Sequence, residues 1–323
     1  MRPRVLTQPC GKRAPVFGFT MVELIIALSL GVIVLGAAVA YVIREIRTLT
    51  GNEIRDSLTR NGRYVGVSLR HDVQRAGIGI ESTMSFGTVA VWPGLRGDTL
   101  VILHVPYVPQ VAPAHTIVPP PGEDNPLPPG GTCGARCIEV RKDPGLPLEL
   151  QANDLARLQV AETRCLILIE EIRETSDTSV ALEFTAADSI LRQPAGLTGG
   201  LRLDRYGTYV QKLVPIIYYL DDEEQLIRAH RLNRDGSPAG DILAYDVERF
   251  DARLVFADGD ELERAAPGDE DNSNDYDDIV AVRVLVTVKA DRVDPRVNQG
   301  ELLKRSYDWT VSPRNLRYEK QRL

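Results

Sequence analysis

A single carboxylate, Glu23, stands near the start of a long apolar segment and is the first candidate for chemistry in this sequence. The 25 residues from Phe19 to Ile43 contain no other charged side chain. As an α-helix the segment would be about 37 Å long, slightly more than the hydrocarbon core of a bilayer. A carboxylate placed there costs about 2.5–3.5 kcal/mol on insertion scales, so we expect Glu23 to have a cationic partner. Cleavage between Gly18 and Phe19 would supply one, because it creates an α-amine four positions before Glu23.

The residues before the apolar segment predict that the export machinery reads it. They are basic and contain no acid, the cations being Arg2, Arg4, Lys12 and Arg13. We therefore expect the rest of the chain to lie outside the cytoplasm. A cleavable signal peptide is the alternative, since cleavage after Ala38-Val39-Ala40 would release a periplasmic protein that begins at Tyr41. The segment is longer than the roughly 7–15 apolar residues of such a signal, and Glu23 would weaken it.

The stretch GFTMVEL, from Gly18 to Leu24, resembles the processing site of type IV prepilins, in which glycine precedes phenylalanine and glutamate is fifth in the mature chain. The resemblance implies that a membrane prepilin peptidase cleaves after Gly18 and methylates the amine of Phe19. It also implies that Glu23 binds the N-terminus of a neighbouring subunit when the apolar helices pack into a filament.

Less specific similarities point to PilW-like minor pilins and, next nearest, to the J-type pseudopilins of type II secretion. They lie in RNGRYVGVSLRHDVQRAG, VPIIYYLDDEEQLIRAH, VERFDARLVFADGD and the terminal VSPRNL. The resemblance implies a single-pass inner-membrane precursor with a cytoplasmic N-terminus, which later joins a pilus or pseudopilus in the periplasm or at the cell surface. Such a protein would prime pilus assembly at or near the tip. Its partners would be the prepilin peptidase, other minor and major pilins and the inner-membrane assembly platform.

Two other functions are compatible with the same residues. One is a minor pseudopilin of a type II secretion system. The other is a pilus-associated adhesin or binding module that uses the Pro-rich loop or residues 85–200 as its contact face.

Hydrophobic patterning predicts an α+β fold, with a long N-terminal helix followed by a mainly antiparallel β domain, which is also the order of type IV pilins. Residues 1–18 are the leader, residues 19–43 the transmembrane or filament-core helix, and residues 44–78 its amphipathic continuation. We expect one helix from Phe19 to about Ala76. Its glycines, Gly51, Gly62 and Gly66, would mark a bend or packing against a sheet.

Residues 79–323 have the short, β-branched runs and turn residues of an extracytoplasmic β domain. Strands are predicted in TLVILHVPYV, CIEVR, RCLILIEE, SVALEF and RSYDWTV, with a hairpin across the acidic turn 221–224. A second pair of strands flanks an acidic loop at residues 258–278. The loop at residues 105–130 holds nine prolines, so no regular element is expected there.

The cysteines of the sequence motif CGARC, Cys133 and Cys137, could close a small disulfide loop. Unpaired thiols are an alternative, as is a metal site that would also need His104 and His115. Cys165 lies in an apolar run and is expected to be a small buried residue.

The acidic loop is a candidate for calcium because hard oxygen ligands are dense there. The candidate ligands are Asp258, Asp260, Asp269, Asp271 and Asp275. Their spacing departs from the EF-hand template, so a solvated loop without a cofactor is the preferred interpretation.

Composition and motifs argue against several other functions. The net charge of the chain is −7, although its leader carries a charge of +4. The rest of the chain is therefore acidic and is a poor match for nucleic acid. No nucleophile, histidine triad or phosphate-binding loop has the required context, so we predict no enzymatic activity. His71 and Asp72 are expected to form an ordinary surface ion pair.

Overall fold

A computed structural model describes Gly18 and residues 20–107, 114–118, 133, 136–142, 148–160, 163–191, 207–268, 273–293 and 300–314. Residues 1–17, Phe19 and most of the Pro-rich loop lie outside these ranges. The chain has one long helix, α1, followed by fourteen described strands and two short 3₁₀ turns, Asp188–Leu191 and Tyr276–Asp278. The fold is α+β, as predicted.

α1 spans Met21–Val73. The described strands are β1 (Val89–Trp92), β2 (Thr99–His104), β3 (His115–Thr116), β4 (Cys137–Arg141), β5 (Leu155–Val160), β6 (Thr163–Ser176), β7 (Ser179–Ala186), β8 (Tyr209–Leu220), β9 (Leu226–Leu232), β10 (Pro238–Ala244), β11 (Val247–Phe256), β12 (Glu261–Leu262), β13 (Ile279–Lys289) and β14 (Lys304–Val311).

The helix ends slightly earlier than expected, at Val73 rather than Ala76. Its last turns tighten, because the N–H groups of Arg75 and Ala76 bond to carbonyls only three residues back. Gly77 then takes a left-handed backbone with φ of 74°, and its N–H donates to the carbonyl of Leu103 in β2 at 3.1 Å. Gly77 therefore ends the helical region by connecting it to a strand.

The chain divides into two compact units, one up to Glu53 and the other from Ile54 onward. The division falls inside α1, whereas the β domain was predicted to begin at residue 79. The reason is that the C-terminal part of the helix is buried within the second unit. Its buried apolar side chains are those of Ile54, Leu58, Val65, Leu69 and Val73.

The larger sheet has ten strands in the order β1-β2-β8-β5-β6-β7-β4, with β3, β9 and β10 joined to it through β8 or β9. β8 pairs with β5 through Tyr209–Leu213 and with β9 through Ile217–Leu220. Pro215, which has no N–H to donate, lies in the gap between these two pairings. The pairing of β8 with β9 confirms the predicted hairpin across residues 221–224.

The smaller sheet has the order β12-β11-β13-β14. β11 and β13 are the predicted second pair flanking the acidic loop, and β14 is the predicted last strand. The helix packs closely against β14: a Cβ on Gly62 would overlap the ring of Tyr307, and one on Gly66 would lie 2.7 Å from Cζ2 of Trp309. The prediction that these two glycines mark packing against a sheet is confirmed.

Three apolar clusters hold the second unit together. The first joins α1, the smaller sheet and one face of β1, β2 and β8. The second lies on the opposite face of β2 and β8 and extends onto β5 and β6. The third covers the other face of β5 and β6, with β4 and β7. Because β6 is covered on both faces, its central residues Cys165–Ile169 are apolar on both sides of the strand, whereas β5 buries Arg157 and Gln159 on one of its faces.

Candidate functional site

The first unit contains an apolar helix that the other described residues leave exposed. Its large apolar side chains from Met21 to Leu49 are all exposed. The most apolar window of α1 has a mean hydropathy of 2.6, so this one helix is long and apolar enough to cross a membrane. Exposed apolar surface of this extent is typical of a segment that lipid or another protein covers.

Glu23 forms a capping box with Thr20 at the start of the helix. The backbone N–H and the hydroxyl of Thr20 donate to Glu23 Oε2 at 3.0 and 2.9 Å. The Glu23 N–H donates to Thr20 Oγ1 at 3.3 Å. These reciprocal bonds satisfy N–H groups that a helix leaves unpaired in its first turn. The carboxylate is therefore held at the positive end of the helix dipole.

Thr20 was missed as a partner of Glu23, although the signal was in the sequence. A threonine three residues before a glutamate, ahead of an apolar run, is the pattern of a capping box. Both described bonds to the carboxylate use Oε2. Oε1 thus remains available for a further donor, such as the α-amine proposed as the partner. Phe19, which would carry that amine, lies outside the described residues.

Gly18 is exposed and is not required by the fold. A Cβ built on it meets no atom within 4 Å. Among the described residues, no contact therefore requires glycine at this position.

Cys133 and Cys137 are joined by a disulfide, with their Cα atoms 5.1 Å apart. Of the alternatives left open by the sequence, neither unpaired thiols nor a metal site is realised at this pair. Cys165 is buried and free, as expected. Burial, followed by the charge of Asp188, raises the pKa of its thiol to about 12, so it is not a candidate nucleophile.

The candidate calcium ligands are not brought together in the part of the chain that is described. Asp258 and Asp260 lie in the tight turn after β11, where the N–H of Asp260 donates to Asp258 Oδ1 at 2.9 Å. Asp275 instead groups with Asp277 and Asp278, whose carboxylate oxygens lie within 4.8 Å of one another. Asp269 and Asp271 lie outside the described residues.

The burial of Asp275 is explained by a structural role in the acidic loop. Its side chain is buried, and its Oδ1 accepts the N–H of Gly268 at 3.1 Å across the acidic loop. A buried carboxylate that accepts backbone N–H groups fixes a loop without needing a cation.

The expected contact between His71 and Asp72 is present, but the prediction that it is an ordinary surface ion pair is wrong, because Asp72 is buried. Asp72 is 1% exposed and His71 63% exposed at the side chain. Arg228 of β9 donates to both Asp72 oxygens, at 2.6 and 3.0 Å, and the Tyr218 hydroxyl of β8 also donates to Asp72. His71 Nδ1 lies 3.0 Å from Asp72 Oδ1.

These bonds decide the charge of Asp72. Burial alone would raise its pKa, but hydrogen bonds from Arg228, Tyr218 and His71 outweigh burial and hold the pKa below its usual value. A carboxylate at the C-terminal end of a helix opposes the helix dipole. The donors from Tyr218 and Arg228 compensate for this unfavourable position. Because they belong to β8 and β9, the network anchors the end of α1 to the β8–β9 hairpin.

Fold and site define a chain in which an N-terminal helix able to span a membrane is followed by a mostly antiparallel β domain. Comparison with models of protein families, with curated proteins and with solved structures found no match.

Proposed function

We propose that this protein is a minor subunit of a type IV pilus, made as a single-pass inner-membrane precursor and cleaved by a prepilin peptidase between Gly18 and Phe19. The observation that carries the proposal is the position of Glu23. It is the only charge in a helix segment that otherwise exposes apolar side chains, and it lies in the first turn of that helix.

The exposed apolar helix supplies the driving force for assembly. Burying one large aliphatic side chain against neighbouring helices contributes about 1.5–3 kcal/mol. A dozen or more such side chains are exposed between Met21 and Leu49. Apolar packing alone leaves the axial register of neighbouring helices poorly determined, because many sliding positions bury similar area.

Glu23 supplies the register. Inside an apolar bundle an unpaired carboxylate is unfavourable. Pairing it with a cation removes this cost, but only when the neighbouring helices are aligned so that the two charges meet. After cleavage, the Phe19 amine of a neighbouring helix is such a cation. Glu23 is already held at the helix end by Thr20 and can accept this donor through Oε1.

Gly18 can be replaced without a clash among the described residues, so the proposed cleavage can be tested at this position. Since a Cβ there meets no described atom within 4 Å, a Gly18→Ala variant should fold and insert like the wild type. We expect it to accumulate as uncleaved precursor, because the peptidase must fit the residue before the cut. Gly31→Ala is the matched control, since a Cβ at Gly31 also meets nothing within 4 Å.

The test is peptide mass spectrometry of the N-terminus, on protein from cells with and without the peptidase. Wild type and Gly31→Ala should begin at Phe19 with a methylated amine, whereas Gly18→Ala should keep its leader. A chain that begins at Tyr41 in all three would contradict the proposal and make the segment an export signal.

A further inference from the structure

Two arginines lie on one face of the larger sheet, where the second apolar cluster ends. Arg157 is in β5 and Arg164 in β6. Arg164 pairs directly with Gln159 of β5, which places it diagonally across from Arg157. Diagonal neighbours of this kind are about 7–8 Å apart, within reach of long side chains.

Arg157 is buried with neutral partners only. It is 5% exposed, and its Nη2 donates to the Tyr209 hydroxyl at 2.9 Å and to Gln211 Oε1 at 2.5 Å. The guanidinium also lies over the ring of Tyr209, 5.2 Å from its centre. Its Nε is buried without a hydrogen-bond partner, and no carboxylate pairs with it among the described residues.

A buried arginine without an anion is unusual, because arginine keeps its charge and a buried charge is normally paired. Burial holds the pKa of Arg157 below its usual value. Tyr209 and Glu81 act in the opposite direction, while Arg164 lowers this pKa further. The region therefore has an excess of positive charge inside the fold.

Arg164 extends this charge toward solvent. Its side chain is 14% exposed, its Nη1 donates to the backbone carbonyl of Glu81, and its Nε is also buried without a partner. The nearest carboxylate is that of Glu81, 3.8 Å from Nη2, but this side chain is 71% exposed. Glu81 thus lies at the solvent side of the two arginines and neutralises their positive charge only in part.

We infer that Arg157 and Arg164 form a binding site for a small oxyanion, a carboxylate or a phosphate, that enters past Glu81. The two Nε–H groups lack a hydrogen-bond partner among the described residues, and guanidinium groups suit the paired oxygens of such anions. The site lies entirely in the β domain and does not depend on the proposed role in pili.

The test is thermal unfolding of the full chain in detergent micelles, titrated with sodium phosphate, with sodium acetate, or with sodium chloride at matched ionic strength. A ligand at 100 times its dissociation constant should raise the melting temperature of the wild type by about 5 °C or more. Phosphate and acetate report which oxyanion the site prefers. Arg157→Gln should abolish the rise, and Arg231→Gln, which removes an exposed arginine of β9, should preserve it.

A second variant covers the case in which Arg157→Gln fails to fold. Glu81→Gln removes the exposed carboxylate beside Arg164 and leaves the core intact. It should tighten binding of the preferred anion by up to about fivefold, the factor expected for an exposed ion pair. The inference is overturned if neither oxyanion stabilises the wild type more than chloride does. It is also overturned if Glu81→Gln leaves the affinity unchanged, or if Arg157→Gln folds and keeps the full rise.

Discussion

The ring of Tyr307 in β14 occupies the space that a side chain on Gly62 of α1 would need. The Tyr307 hydroxyl donates to the carbonyl of Leu58 at 3.0 Å, and its ring stacks on Trp309 with centres 5.4 Å apart. A helix glycine is unfavourable by about 1 kcal/mol relative to alanine. Here the absence of a side chain allows an aromatic strand to lie directly against the helix.

We predict that Gly62→Ala destabilises the β domain by about 1–3 kcal/mol, despite its better helix propensity, because Tyr307 cannot move without breaking its stack and its bond to Leu58. Denaturant unfolding monitored by tryptophan fluorescence checks this. Gly36→Ala, where a Cβ meets nothing within 4 Å, is the control and should not destabilise. An equally stable Gly62→Ala protein would show that the close packing is unimportant.

Asp72 should make the protein sensitive to acid. Because its pKa in the folded protein is below the usual aspartate value of 3.8, its ionisation stabilises the fold above that pH. This stability is lost as the pH falls below about 3.8 and Asp72 becomes protonated. Melting temperatures measured from about pH 5 to about pH 2.5 should fall more steeply for the wild type than for Asp72→Asn.

At pH 7 Asp72→Asn should itself be destabilised by about 1–3 kcal/mol, since Arg228, whose side chain is 31% exposed, loses its charged partner. Asp56→Asn, on the exposed side of the same helix, should change stability by less than about 0.5 kcal/mol. Equal losses in the two variants would contradict the proposed anchoring role of Asp72.

For Glu23 we predict that its charge is needed for incorporation into the filament, whereas its hydrogen bond with Thr20 stabilises the start of the helix. Glu23→Gln keeps an oxygen that can accept from Thr20, so the helix and its insertion should be preserved, while incorporation into sheared filaments is lost. Thr20→Ala removes the cap, worth about 0.5–2 kcal/mol, but keeps the carboxylate and should still be incorporated. Immunoblots of membrane and pilus fractions measure both. Normal incorporation of Glu23→Gln would show that register does not depend on this charge.

Much of the architecture could be predicted from local patterns. The apolar run after Thr20 and the i, i+3 and i+4 spacing that continues to Val73 are sufficient to predict α1, because a helix repeats every few residues along the chain. The β8–β9 hairpin, β11, β13 and β14 were recognisable from β-branched runs bounded by turn residues. The disulfide was one option because the two cysteines are close in sequence.

Other strands could not be recognised in this way. β5 reads LARLQV and was not predicted, since Arg157 and Gln159 look like the solvent face of a half-exposed strand. All six of its residues are buried, because the two faces of β5 contribute to two different apolar clusters. Short edge strands such as β3 and β12 have too few residues to show any period.

The sequence by itself therefore determined the long helix, its lone acid and the β-rich character of the chain beyond the helix, since these depend on residues close together in the chain. Only the tertiary structure decided which polar groups are buried. Asp72 meets Tyr218 and Arg228 across 146 and 156 residues, and Gly62 meets Tyr307 in the last strand. Such pairs carry no local signature, because burial of a charge depends on which distant element the fold places against it.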